Sequence, residues 1–149
     1  MNSLPRPVVL DTSVVLAWLL DDEEFHRQAR AVADDIAEGG LEPVAAPNLR
    51  FELRHGLVRA ARRGRLAWTT IGRRLVAVEA MAIGVPAVAL EDEPLLKLCH
   101  RRSLGWGDAH HALLARRLGR PLVTADRRLV DHLSGSDVWV EWLGDRPTE

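Results

Sequence analysis

Asp11 directly follows the apolar run Val8-Val9-Leu10, and Asp126 follows Pro121-Leu122-Val123-Thr124-Ala125, so each carboxylate lies where a short buried strand would end. In open parallel sheets the carboxyl ends of the strands form the crevice in which ligands bind. Two carboxylates at one rim offer hard oxygen ligands for a divalent cation such as Mg²⁺ or Mn²⁺. Glu52, in the first turns of a predicted helix, and Asp108, at the start of another, would join them if the sheet is parallel. Acidic oxygens around one or two such ions suit phosphodiester hydrolysis, because the ions activate water and offset charge on phosphorus.

Each acid also has a plainer explanation. Asp11, Asp108 and Asp126 are all placed to cap helices, and Glu52 could ride on a solvated face. Thr12, Ser13 and Thr124 stand beside the acids as candidates to orient them or to hold water on a metal, although capping explains Thr12 and Ser13 equally well. The acidic runs Asp21-Asp22-Glu23-Glu24 and Glu91-Asp92-Glu93 fit surface or helix starts. The six histidines show no metal-ligand spacing. His110 and His111, being adjacent on a helix, cannot both face the cleft. Trp18, Trp68, Trp139 and Trp142 suit the core or a contact between copies, while Trp106, beside Asp108, is the one tryptophan placed to stack on an unpaired base.

The elements that must position these groups alternate between the two hydrophobic periods. A strand over 8–10 leads into a helix to about Leu20, and a second helix covers roughly 24–38 before the Gly39-Gly40 stop. A second strand is expected over 44–46. Pro47-Asn48 then opens a helix with Leu49, Leu53, Leu57 and Ala60 at helical spacing, ending near Gly64. Another helix runs from Thr69 or Thr70 to about Ala80. Residues 83–90, with Gly84 and Pro86, read as strand or irregular chain. Helix follows over 91–102, then a turn at Gly105-Trp106-Gly107, with Asp108 as cap or first turn of a helix that stops at Gly119. A buried strand over 122–125, a short helix over 127–133 and a last strand over 138–143, with Val138, Val140 and Trp142 on one face, complete an α/β chain with a mostly parallel sheet.

A chain of 149 residues with 47% apolar content suits a single domain over 1–149. One cysteine, Cys99, excludes an internal disulfide framework, and neither a paired-cysteine zinc motif nor an HExxH occurs. The N-terminus lacks a signal pattern and the apolar stretch 14–20 is too short to span a bilayer, so a cytoplasmic protein with no membrane association is expected. The net charge of −1 does not announce a nucleic-acid binder. It conceals arginine clusters at Arg59-Arg62-Arg63-Arg65, Arg73-Arg74, Arg101-Arg102, Arg116-Arg117-Arg120 and Arg127-Arg128, which gain meaning if they ring an acidic cleft.

Val8-Val9-Leu10-Asp11-Thr12-Ser13, the segment from Pro47 through Glu52-Leu53-Arg54-His55-Gly56-Leu57, Asp108-Ala109 and Leu122-Val123-Thr124-Ala125-Asp126 together resemble the PIN-domain family, in particular the VapC-type toxins of bacterial and archaeal toxin–antitoxin pairs. The resemblance spans nearly the whole chain. It implies a three-layer α/β/α sandwich in which Asp11, Glu52, Asp108 and Asp126 bind Mg²⁺ or Mn²⁺ for RNA hydrolysis. It further implies a homodimer and a small VapB-like cognate antitoxin lying along a groove near Trp18 and Leu20, with operator DNA bound only through that antitoxin. Two positions depart from the family. His55 stands where an asparagine is frequent, and His110-His111 occupies a segment that often carries a tyrosine, of which this chain has none.

Two rivals remain. A haloacid-dehalogenase phosphatase also places an aspartate after its first strand but needs a second one two residues on, where this chain has Ser13. No Walker or GxGxxG loop supports nucleotide binding. The other rival is a catalytically silent module of the same fold that binds RNA or its antitoxin without cutting.

Overall fold

The two apolar runs that end in Asp11 and Asp126 lie side by side. In a computed structural model describing residues 4–148, β1 (Arg6–Leu10) pairs with β3 (Leu122–Thr124) on one side and β2 (Leu41–Val44) on the other, and β4 (Val140–Trp142) pairs with β3. The order is β2-β1-β3-β4 and every pairing is parallel. Between the described strands run α1 (Thr12–Leu19), α2 (His26–Ala37), α3 (Leu49–Arg62), α4 (Ile71–Ala80), α5 (Asp92–Arg102), α6 (Trp106–Leu118) and α7 (Arg127–Leu133).

Alternation along β1 makes the layers. Val8 and Leu10 face a core built with α1, α2 and α3, against which Ile71 and Leu75 of α4 also pack. Val9, between them, faces the opposite core with Leu122 and the inner faces of α5, α6 and α7. A central parallel strand buried on both faces reads as continuous Val and Leu because each side needs apolar cover. This is the three-layer α/β/α sandwich expected from the sequence.

The chain leaves β1 toward β2 and leaves β3 toward β4, so the direction of winding reverses between the two central strands. Such a reversal opens a crevice at the strands' carboxyl ends. Asp11 and Asp126 are the first and second residues beyond β1 and β3 and stand at that crevice.

Two expectations need correction, and the choice left open between strand and irregular chain over 83–90 falls to irregular chain. The second strand is Leu41–Val44, ahead of the expected 44–46; Pro43 is accommodated because β2 is the last strand of the sheet on that side, where a missing N–H can be tolerated. Residues 83–90 form no strand beyond one bridge, Val44 to Gly84; Ala45 N donates to Gly84 O at 2.8 Å, and Pro86 then lacks a donor to continue a ladder. The last strand is confined to Val140–Trp142, with Leu143 already in a 3₁₀ turn. Val138 and Val140 join the core, but the Trp142 ring stands edge-on to Phe25 at 5.4 Å and under the Arg127 guanidinium at 4.6 Å. Among the described residues no helix is long and apolar enough to cross a membrane.

Candidate functional site

Four helices begin at the crevice, and each brings one acid. Asp11 occupies the N-cap position of α1, Glu52 and Asp108 lie in the first turns of α3 and α6, and Asp126 caps α7, its Oδ1 accepting from Arg128 N at 2.9 Å. Helix N-termini carry partial positive charge, which offsets nearby carboxylates within about the first turn. The four acids line one open cleft of about 500 Å³.

Asp11 is buried, and its Oδ2 accepts from Ser13 Oγ at 2.5 Å and Thr124 Oγ1 at 2.8 Å. The same two hydroxyls receive the backbone of the opposite loop: Ala125 N donates to Ser13 Oγ and Asp126 N to Thr124 Oγ1, each at 3.0 Å. Asp11 is therefore tied through two hydroxyls to the loop that carries Asp126. Thr12 and Ser13 are not caps, because Asp11 holds the N-cap position and their side chains turn toward acids.

Glu52 is fixed through Oε1, which accepts from Asn48 Nδ2 at 2.7 Å, Thr12 Oγ1 at 2.9 Å and His111 Nε2 at 3.0 Å. Its other oxygen rests against Gly107, where a Cβ would also come within 3.0 Å of the Glu52 Cδ. Only glycine lets α6 approach this closely. Asn48 also donates to Gly107 O at 3.3 Å, so one amide joins the starts of α3 and α6.

The electrostatics follow from this crowding. Burial and then the charges of Asp11, Asp126 and Glu52 push the Asp108 carboxyl up from 3.8 to about 6. For Glu52, burial works to raise the value, but the hydrogen bond and charge of His111 and the Thr12 hydroxyl outweigh it and hold the carboxyl below its ordinary range. His111 is fully buried; burial lowers its pKa, yet Glu52, Asp11 and Asp108 together hold it above the ordinary imidazole value.

The donor set is hard oxygen and net negative, which fits Mg²⁺ or Mn²⁺ in kind. Among the described residues, however, no three carboxylate, imidazole or thiolate groups stand close enough together to form a ready-made ligand set. The residues fit the ion in chemistry.

Sequence reasoning placed the four acids and three hydroxyls that line or support this cleft, missed Asn48, and left open which of His110 and His111 faces it. The signals were present in the helical spacing: Asn48 is four residues before Glu52, and His111 three after Asp108, so each pair shares a helix face. His110 faces away, with Nδ1 on the Trp106 carbonyl at 2.7 Å. Trp106 is half exposed, stands edge-on to His110 at 5.0 Å and does not line the cleft. In the acidic runs, Asp22 and Glu23 grip Arg65, and Glu91 pairs with Arg117 at the surface.

The PIN domain family matches this chain over residues 8–133. The crystal structure of PAE2754 from Pyrobaculum aerophilum is similar, with a TM-score of 0.66 and 25% sequence identity, covering 89% of this chain and 83% of that one. Among curated proteins none matches.

Proposed function

The chain belongs to the PIN-domain family, whose members are in general metal-dependent nucleases, and on that premise we propose that it is a divalent-metal-dependent endoribonuclease acting as the VapC-type toxin of a toxin–antitoxin pair. The observation that carries the nuclease reading is the convergence of Asp11, Glu52, Asp108 and Asp126 from four separate helix starts on one cleft. The sequence resemblance carries the toxin assignment, together with a VapB-like antitoxin, a homodimer, contact with DNA only through the antitoxin, and a cytoplasmic location.

In this proposal the four acids hold Mg²⁺ or Mn²⁺. When bound, the ion supplies a stronger nucleophile from water and neutralises charge on the attacked phosphate. The protein's own part is positional. Ser13 and Thr124 lock Asp11 through one oxygen, leaving its other oxygen without a hydrogen bond among the described residues, while Thr12, Asn48 and His111 lock Glu52 in the same one-sided way. The helix starts reduce the repulsion of gathering four anions.

The test is cleavage of a structured RNA pool by purified protein with Mg²⁺ or Mn²⁺, against EDTA and Asp108→Asn. Discrete metal-dependent cuts that vanish in the variant support the nuclease. A folded protein that binds neither ion and cuts nothing is the catalytically silent module instead. Release of growth arrest by one co-expressed small neighbour-encoded protein tests the toxin assignment separately.

A further inference from the structure

Most of the arginines in this chain are occupied. Arg65 is held by Asp22 and Glu23, Arg116 by Asp137, Arg117 by Glu91, Arg120 by Glu42 and Arg127 by Asp131, while Arg74 and Arg102 donate to backbone carbonyls. Among the described residues Arg59 has no such partner, and it alone of the arginines lines the acidic cleft. It lies on α3 in a row with two aromatic groups. Phe51, His55 and Arg59 follow at four-residue steps, which places them on one flank of the helix.

Phe51 is 74% exposed, although it sits directly beside Glu52. A single exposed phenylalanine is ordinary. This one is paired: its ring plane lies 9° from parallel to that of His55 with centroids 6.2 Å apart, and both line the cleft. The floor beside them is formed where α1 meets α3, since Leu16 packs so close to Gly56 that an added Cβ would stand 2.7 Å from Leu16 Cδ1. The cleft therefore continues from the carboxylates along α3, with two parallel π-faces at its start and an unpaired guanidinium at its end.

We propose that this flank of α3 is a track for single-stranded RNA, with an unpaired base stacked on the Phe51–His55 pair and a phosphate farther along the strand taken by Arg59. The proposal deepens the nuclease reading and rests on it for the choice of RNA. Stacking platforms combined with cationic backbone contacts are how proteins hold single strands without reading sequence. From Phe51 to Arg59 is about 12 Å along the helix, several times the roughly 3.4 Å between successive charges on a stacked strand, so the base and the phosphate belong to different nucleotides. A duplex hides its base faces and cannot use the pair.

The test is binding in EDTA at low salt, where nothing is cut, of a fluorescein-labelled unstructured oligoribonucleotide and of its duplex, followed by anisotropy. Phe51→Ala is expected to weaken single-strand binding about tenfold, Phe51→Trp to restore it, and neither to alter duplex binding. Arg59→Ala should reduce the slope of log affinity against log salt by about 0.7. Unchanged single-strand affinity in folded Phe51→Ala overturns the proposal, as does an equal loss for the duplex. So does a change in solution mass of Phe51→Ala with RNA binding intact, which would assign the patch to a second copy of this chain. Since the assay needs no cleavage, failure of the nuclease reading appears separately, as absent metal-dependent cutting alongside Phe51-dependent binding.

Discussion

Asp108→Asn isolates the cost of gathering four carboxylates. In the ion-free fold the Asp108 carboxyl is pushed up to about 6 from 3.8, first by burial and then by Asp11, Asp126 and Glu52. The folded value lies above the unfolded one, so the folded state binds the extra proton between them. The stability contributed by protonated Asp108 is fully present below the unfolded pKa and is lost as pH rises through about 6. A shift of about 2 units corresponds to at most ~3 kcal/mol. Asp108 is only partly buried, and solvent screening reduces this to about 1–2 kcal/mol. Asparagine has nearly the same shape and no charge at any pH.

In chelator at about pH 8, Asp108→Asn should therefore be more stable than the parent by ~1–2 kcal/mol, or about 3–6 °C in melting temperature, and this advantage should fade toward about pH 4. Urea and thermal unfolding followed by circular dichroism across that range measure it. Adding Mg²⁺ or Mn²⁺ should reverse the order, because an ion that binds the native state stabilises whichever protein holds it more tightly. An advantage that does not vary with pH, or a variant less stable than the parent at about pH 8 in chelator, would refute the account of Asp108 as an acid strained by its neighbours.

Three other outcomes follow from the same geometry. His111→Ala should lower stability by about 2–4 kcal/mol, since it empties a fully buried site and removes a donor from a carboxylate; a melt within about 0.5 kcal/mol of the parent would show that the imidazole is not held as described. Gly107→Ala should separate stability from activity. A Cβ there must displace the Glu52 carboxylate, so metal-dependent cleavage should fall at least about tenfold, while helix propensity favours alanine by up to ~1 kcal/mol and the fold survives; full cleavage would count against the placement of Glu52. Leu57→Ala, at a fully buried position on the inner face of α3, should cost about 2–5 kcal/mol in denaturant unfolding, and a smaller loss would mean the core between α3 and β1 relaxes to fill the space.

What could be seen in the sequence depended on whether a residue's neighbours along the chain were also its physical cause. Asp11 and Asp126 were legible because a buried parallel strand must be apolar throughout, so the acid that follows marks its end. Glu52 and Asp108 needed one further step, from helix-start signals to a shared crevice, and only the parallel sheet makes that step sound. Asn48 was hidden by a better local explanation, and the choice of His111 over His110 stayed open. Asn48 looks like a helix opener after Pro47, and His111 sits among Ala109, Ala112 and Leu113 in a stripe that reads as core. His111 is indeed core, and it reaches Glu52 from inside. β2 was displaced in the expectation because Glu42 and Pro43 look like loop, and nothing local reveals that the strand is outermost in the sheet. The arginine clusters were visible as composition, but most of their partners, such as Asp22 for Arg65 and Glu42 for Arg120, lie far away in sequence.

Those partners decide how the molecule presents its charge. A net charge of −1 would suggest indifference to a polyanion, yet the average arises from two unlike regions. Elsewhere on the surface many arginines are neutralised in exposed pairs that contribute little stability. At the crevice, four acids stand at helix N-termini, and His111 reaches Glu52 from the buried side. A phosphodiester approaching the bare acids would be repelled at close range. Under the proposed function, cation binding would remove that repulsion, and Arg59 along α3 would attract the adjoining strand. Under the proposed function, affinity for the strand and affinity for the ion are therefore thermodynamically coupled through the same carboxylates. Oligoribonucleotide binding should tighten when Mg²⁺ or Mn²⁺ is added to cleavage-resistant substrate, and the ion should bind more tightly to the RNA complex by the same factor.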